Sequence, residues 1–540
     1  MRSPVHRHFV RRAVVAAVVA LGVSAAGACS SGSAGGSGSD GPPQPGGTLT
    51  FAVSSDAGCA DPQQVGSNDT IYALRQVVDS LTDQDPATGK IVPWLAQSWD
   101  VSPDATTFTF HLRSGVTFSD GSPLTAQVVK DNFDAVPHLG ALGTLAAGYL
   151  SGVQSTTALD PTTVQVKFAQ PNAQFLQASS TYSLGIESSA SVHKTPQEKC
   201  SQGVVASGPF VQSQYVPNQS TTLTKRTGYG WGSSLWKKKG EAYLDKLVFK
   251  VVPEAGVRLG SLQSGQVDAI GSVGKADEAA LKSAGVNLLA RANPGVVFQL
   301  GLNSSRPALK DEKVRQAIQV AVDRQQIVDT VFPSGTRPAT SSLSHTTPYY
   351  TNLAQSFGHD AAKANALLDE AGWVRGADGI RQRDGKRLSL SVDWFANAAT
   401  NQPALELIQQ QLKAVGVDLV LKQLPIAQIA QVQQAGDYDA LWGNVTRADP
   451  DILRSSFSTH LSNYYRVPPS ELDRLLDQQA ATADATKREE LVKQAQQSLA
   501  QHAFVVPVVE LQTELGAAAK VHDLNFEASS RIQLHDTWLG

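Results

Sequence analysis

Leu388-Ser389-Leu390-Ser391-Val392, then Leu405, Ile408, Leu412 and Val415 ahead of Gly416, then Val417-Asp418-Leu419-Val420-Leu421: this stretch decides the fold class. In its outer pieces apolar residues alternate, as on a strand, and between them they recur at three and four, as on one face of a helix. Gly416 tolerates the left-handed backbone that ends such a helix. Strand, helix, strand in that order is the βαβ unit of a parallel sheet covered on its faces, so the chain is read as an α/β protein.

The same grammar continues on both sides. Asp311 caps a helix that buries Val314, Ala317, Ile318 and Ala321. Asp323 and Gln326 form a capping box for the next helix, and Pro333 ends it. Asp360 opens a helix burying Leu367, Leu368 and Ala371, with Gly372 as its stop. Further on, Ser470–Gln501 reads as one long helical region, and Phe504–Val509 as a buried strand returning toward the first half.

The first half reads differently. Thr48–Val53 alternates as a strand with one buried face, followed by turn residues from Asp56 to Asn68 and a helical spacing over Ile71, Leu74, Val77, Val78 and Leu81. Thr106–Leu112 alternates as an edge or half-buried strand and pairs naturally with Thr163–Phe168. Between them Thr125 caps a helix carrying Val128, Val129 and Phe133, giving a small α+β unit over about 90–200. A chain of 540 residues exceeds one ordinary core and implies at least two lobes.

Residues 1–28 carry Arg2, Arg7, Arg11 and Arg12 and no acid. Without them 41 basic side chains face 48 acidic ones, a net charge near −7 with no polybasic face, which argues against a nucleic-acid partner. The apolar run Ala13–Leu21 is too short to span a bilayer and reads as a secretion signal, the adjacent arginines leaving general or twin-arginine export open. Small residues then lead to Cys29, the expected lipidation site, and Ser30–Gly47 is a Gly/Ser/Pro-rich tether. Cys59 and Cys200 remain, either as a disulfide favoured by an oxidising compartment or as two buried thiols.

No GxSxG elbow, phosphate loop or dinucleotide fingerprint occurs, so no catalytic residue and no cofactor is assigned. The histidines are scattered, and no metal site is expected. Asp437, Asp439, Asp449 and Asp451 read as turn and cap residues more readily than as paired catalytic carboxylates. Two loops combine aromatic and polar residues: Trp394-Phe395-Ala396-Asn397, after the strand at Leu388, and Trp442–Pro450, after a strand at Tyr438–Leu441. Residues just past strand ends of an α/β lobe line ligand crevices. The expected ligand-binding set is Trp442, Asn444, Thr446, Arg447, Asp449 and Trp394, with core packing the competing reading for both tryptophans.

Ordered motifs from Gly46 to about Leu515 resemble the family 5 extracellular solute-binding proteins of dipeptide, oligopeptide and nickel ABC importers. They include Gly46-Gly47-Thr48-Leu49, Asp61-Pro62, Ile91-Val92-Pro93-Trp94-Leu95-Ala96-Gln97-Ser98-Trp99, Phe118-Ser119-Asp120-Gly121, Ser207-Gly208-Pro209-Phe210, Val314-Arg315-Gln316-Ala317 and Leu367–Trp373. The resemblance implies the large, three-subdomain form of the type II periplasmic-binding-protein fold, two lobes closing over a hinged crevice. The expected division is signal 1–28, tether 29–46, lobe I over 47–300 with an inserted subdomain at about 90–204, lobe II over 301–505, and a return to lobe I over 506–540. It also implies a monomer that hands a peptide or peptide-like solute to permease subunits and stays on the outer face of the cell membrane through its lipid.

One position departs from the family. Many peptide-binding members carry an aspartate three residues before the Asp-Pro pair, where it meets the peptide's free amine. Thr446 stands there in this chain, with Arg447 beside it. A hydroxyl does not neutralise an ammonium, whereas Arg447 suits a carboxylate or phosphate, or sits on the surface. A sugar, an opine or a metal chelate therefore stays open as the solute, and a secreted hydrolase or a receptor-linked sensor as the role.

Overall fold

The structure is a computed structural model and describes residues 41–395, 398–425 and 428–540. Cys29 and the signal lie outside the described residues. Residues Pro43–Gly540 form one compact unit built around three sheets.

The first sheet has seven strands, in the order Asn287–Ala292, Gln512–Ala517, Ala269–Ile270, Thr48–Val53, Lys246–Val251, Ser220–Lys225 and Phe210–Val216. The second has five: Asp418–Leu424, Ser389–Phe395, Ala440–Thr446, Gly295–Leu302 and Val505–Val509. In it Ser389–Phe395 and Asp418–Leu424 are parallel neighbours joined by the helix Asn401–Ala414, the βαβ unit the sequence reading rests on. The inserted unit is a four-stranded antiparallel sheet in which Thr107–Leu112 lies inside, between Ala96–Val101 and Thr163–Phe168.

The chain crosses from the first sheet to the second at Asn293-Pro294 and back at Glu510-Leu511. The crossings are tied together: Asn293 N donates to Leu511 O at 2.7 Å, and Thr513 Oγ1 bonds Asn293 Oδ1 at 2.7 Å. Gly295, at φ +105°, opens the second-sheet strand where a Cβ would come within 2.3 Å of Val445 O, so the loop after Ala440–Thr446 lies against the crossing only because this residue has no side chain.

Asp311, Asp323 and Asp360 cap their helices, accepting from Lys313 N, Gln326 N and Lys363 N. The region read as one helix over 470–501 is two, Glu471–Ala480 and Ala485–Gln501, because Asp484 starts a new N-terminus by accepting from Lys487 N. Cys59 is bonded to Cys200, and Ala60 N donates to Cys200 O beside it. In the same region Lys199 is buried between Asp61 at 2.9 Å and Glu187 at 3.3 Å, a lysine neutralised entirely inside the first lobe.

Candidate functional site

The strands Ser389–Phe395 and Ala440–Thr446 run side by side in parallel and end at the same edge of their sheet. Both continue further than the sequence pattern indicates, and this moves the two tryptophans. Trp394 and Trp442 lie within strands instead of beyond their ends. They are 5% and 3% exposed and belong to the second lobe's main core. The Trp442 ring stacks on Phe298 with centroids 5.2 Å apart, and its Nε1 donates to Asn401 Oδ1 at 3.1 Å. We therefore place both rings in the core, against the expectation that they line the crevice. The pleat gives the reason: Trp442 shares the face of Ala440, toward the helices that cover the sheet, while Leu441 enters the core on the other side.

Asn444 and Thr446 follow on the last turn of that strand, half-buried, with Thr446 opposite Gly295 at the crossing. Asp449 is buried, and its carboxylate is held by both arms of the Arg488 guanidinium, at 2.6 and 3.0 Å, and by Asp451 N at 2.8 Å. Burial opposes the charge on Arg488, but the Asp449 carboxylate outweighs it and holds the guanidinium pKa above its ordinary value. Asp449 forms part of the wall of a cavity of about 190 Å³ between the lobes, lined also by Gln84 and Gln177 of the first half and Tyr349 of the second. Its acceptors are already used there.

Arg447 differs from its neighbours. Its guanidinium lies 4.9 Å above the ring of Tyr149, at the end of helix Thr144–Tyr149 in the inserted subdomain. Nη1 reaches Gln174 Oε1 and Ser455 Oγ, both at 3.5 Å, the outer limit of a hydrogen bond, and the buried Nε has no partner. The loop thus touches the first half of the chain. Two further contacts bridge the same gap: Gln84 Nε2 to Ala448 O at 3.3 Å, and Ala173 N to Ala480 O at 2.9 Å.

On the first-lobe side, Asp69 is fixed by Ser54 N at 3.0 Å and Ser55 N at 2.9 Å. Tyr182 donates its hydroxyl to Val65 O at 2.8 Å, and the Arg531 guanidinium stands 4.9 Å over the Tyr182 ring. Sequence reasoning missed Tyr149, Gln174, Tyr182 and Arg531. None carries a periodic or motif signal, and Arg531 lies past the last residue of the family resemblance.

Two α/β sheets, joined by two chain crossings and meeting at a polar seam, are the architecture of solute-binding proteins. The profile described as bacterial extracellular solute-binding proteins, family 5, middle region, matches residues 90–463, and the chain belongs to this family. It is 27% identical over 482 residues to the dipeptide-binding protein of Escherichia coli strain K12, spanning 81% of this chain and 86% of that one. It is 25% identical to the nickel-binding periplasmic protein of the same strain, over 81% of this chain and 84% of that one. The fold also matches NikA of Brucella suis, solved in complex with Fe(III)-EDTA, with a TM-score of 0.80 and 24% identity, over 92% of this chain and all of that one. Such relatives are solute-binding proteins. Among the described residues no helix is long and apolar enough to cross a membrane, and no group of His, Cys, Asp and Glu is placed to hold a metal ion.

Proposed function

We propose that this protein is the solute-capturing subunit of an ABC importer and takes a peptide or peptide-like solute between lobes that divide at the two chain crossings. The observation that carries the reading is the Arg447 loop. It leaves the second-lobe sheet and lays a guanidinium on Tyr149 of the first half, at the seam where a solute would be enclosed. Closure of this kind hides the solute from water and gives the permease a surface that the open form lacks. Asn444 and Thr446, at the strand end, are the second-lobe groups free to hydrogen-bond the solute. No residue is given a catalytic role, and the protein works as a monomer.

Thr446 supports a second reading on the same fold, in which the solute is not an ordinary free-amine peptide but an opine, a sugar or a metal chelate. Native mass spectrometry of the freshly purified protein separates the two by the mass of the retained solute. A protein that retains nothing, and binds no member of a peptide and chelate panel, is not a capture subunit of this type.

Anchoring through lipid on Cys29 is part of the same proposal and rests on the Gly/Ser tether that follows it. Cys29→Ser should move the protein from the membrane fraction to the medium; if it stays with the membrane, the anchor is something else.

A further inference from the structure

Among the described residues, several buried cations are neutralised by a carboxylate or donate to many carbonyls. Arg75 meets Glu527 at 2.9 Å, Arg381 meets Asp369, Arg488 meets Asp449, and Lys199 lies between two carboxylates. Arg324, with no carboxylate on it, donates to four backbone carbonyls.

Arg447 and Arg531 break this pattern together. Arg531 is 8% exposed, yet its guanidinium has no hydrogen bond or ion pair among the described residues, and its Nε is buried without a partner. Arg447 has only the two long contacts already described and the same orphaned Nε. Among the described residues Arg291 is the other arginine with a buried, unpartnered Nε, but it donates to Pro86 O at 2.7 Å.

The two guanidiniums also belong to one region. Each stands 4.9 Å over a tyrosine, Arg447 over Tyr149 and Arg531 over Tyr182, and the helix Thr144–Tyr149 packs against the turn Tyr182–Leu184. Arg531 is tied to the chain crossing through Ser530, whose Oγ donates to Ala292 O at 2.8 Å. The acids nearby make no ion pair with either arginine: Asp69 accepts from Ser54 and Ser55, and Glu527 pairs with Arg75. Two guanidiniums from opposite lobes therefore stand over tyrosines of neighbouring first-half elements with no carboxylate in contact among the described residues. An uncompensated buried charge is costly, and a planar fork without a partner fits an anionic oxygen group.

We infer that Arg447 and Arg531 form an anion clamp across the crevice, so that the solute is recognised through a carboxylate or phosphate and not through a free ammonium. This rests on the solute-capture reading and narrows its substrate class. The stacked tyrosines hold both forks in place before the solute arrives, which lowers the ordering cost of closure.

The test is calorimetric titration of the full mature chain with acetyl-alanyl-glutamate, its neutral counterpart acetyl-alanyl-glutamine amide, and acetyl-phosphoserine amide, beside native mass spectrometry of the retained solute. An acidic probe should bind at least roughly tenfold more tightly than the neutral one, and Arg447→Gln and Arg531→Gln should each remove about tenfold of that preference. The phosphoserine probe separates a phosphate ligand from a carboxylate. Should Arg531→Gln fail to fold, as judged by circular dichroism, Arg447→Gln, at a half-buried position, carries the test alone. Equal binding of acidic and neutral probes, a preference unchanged in the folded variants, or a retained solute that is neutral or cationic overturns the clamp and leaves solute capture standing. Failure of every probe together with no retained solute overturns both.

Discussion

Arg447 and Asp449 stand two residues apart on one loop, yet their surroundings are opposite. Asp449 is gripped by both arms of Arg488 and by a backbone N–H, all within the second lobe. Arg447 leaves its own lobe, rests on a tyrosine of the other, and keeps an unpartnered Nε. A charge neutralised within its lobe holds that lobe together whether the crevice is open or closed. A charge left unmatched at the seam contributes little to the fold and is available to whatever enters.

The contrast is most easily broken at Asp449. Asp449→Ala leaves Arg488 buried without its counter-charge and should cost about 3–5 kcal/mol in urea unfolding, since removing one partner of a buried pair exposes the full desolvation penalty of the other. A loss below about 1 kcal/mol would mean that the pair is not the structural element described here. Trp442→Ala tests the core placement of the stacked ring. It should cost about 3–5 kcal/mol, as large-to-small changes in a packed core do. A variant of unchanged stability that no longer binds solute would return Trp442 to the crevice.

Asp79 sharpens the comparison from the first lobe, as a buried acid in no ion pair among the described residues that is nonetheless hydrogen-bonded. Trp231 Nε1 donates to it at 2.9 Å and Tyr229 Oη at 3.1 Å. Burial still pushes its carboxyl up to about 7, against those bonds and the nearby Arg75. The folded state then holds a proton that the unfolded state, titrating near 3.8, has released. This contribution to stability is full below about pH 4 and declines as pH rises toward 7. Urea midpoints across that range should show the decline, and Asp79→Asn should remove it; an equal slope in both proteins would place the titrating group elsewhere. Smallest of all, Arg447→Gln should change stability by less than about 1 kcal/mol, because its contacts are long and partly solvated. A large loss would make Arg447 structural and the contrast with Asp449 empty.

The sequence disclosed the elements better than the site. Leu388–Leu421 shows its βαβ unit openly because periods of two and of three to four are local properties, and the caps at Asp311, Asp323 and Asp360 are equally local. The alternation at Leu388–Val392 and Tyr438–Leu441 does not say where each strand stops. Phe395 and Thr446 are held in the sheet by neighbouring strands, so a boundary drawn a few residues early turns a core tryptophan into an apparent loop residue. Arg531 and Tyr182 come together through folding across some 350 residues, which no spacing rule records. The break at Thr482-Ala483-Asp484 was readable in principle from Asp484, and the long helical composition on both sides obscured it.

The strand Gln512–Ala517 lies between Asn287–Ala292 and Ala269–Ile270, near one end of the seven-stranded sheet but not at its edge. Seen in the order of synthesis, this makes the first lobe the last to be completed. The strands Gly295–Leu302 through Val505–Val509 can assemble the second sheet as soon as they have emerged, while the first sheet holds a gap until almost the whole polypeptide has been made. Premature termination shortly before Gln512 would then leave a finished second lobe attached to an interrupted first one, with two unpaired strand edges facing each other. In such a product those edges, and not the solute crevice, would be the sticky surface, and a quality-control protease would find its substrate there.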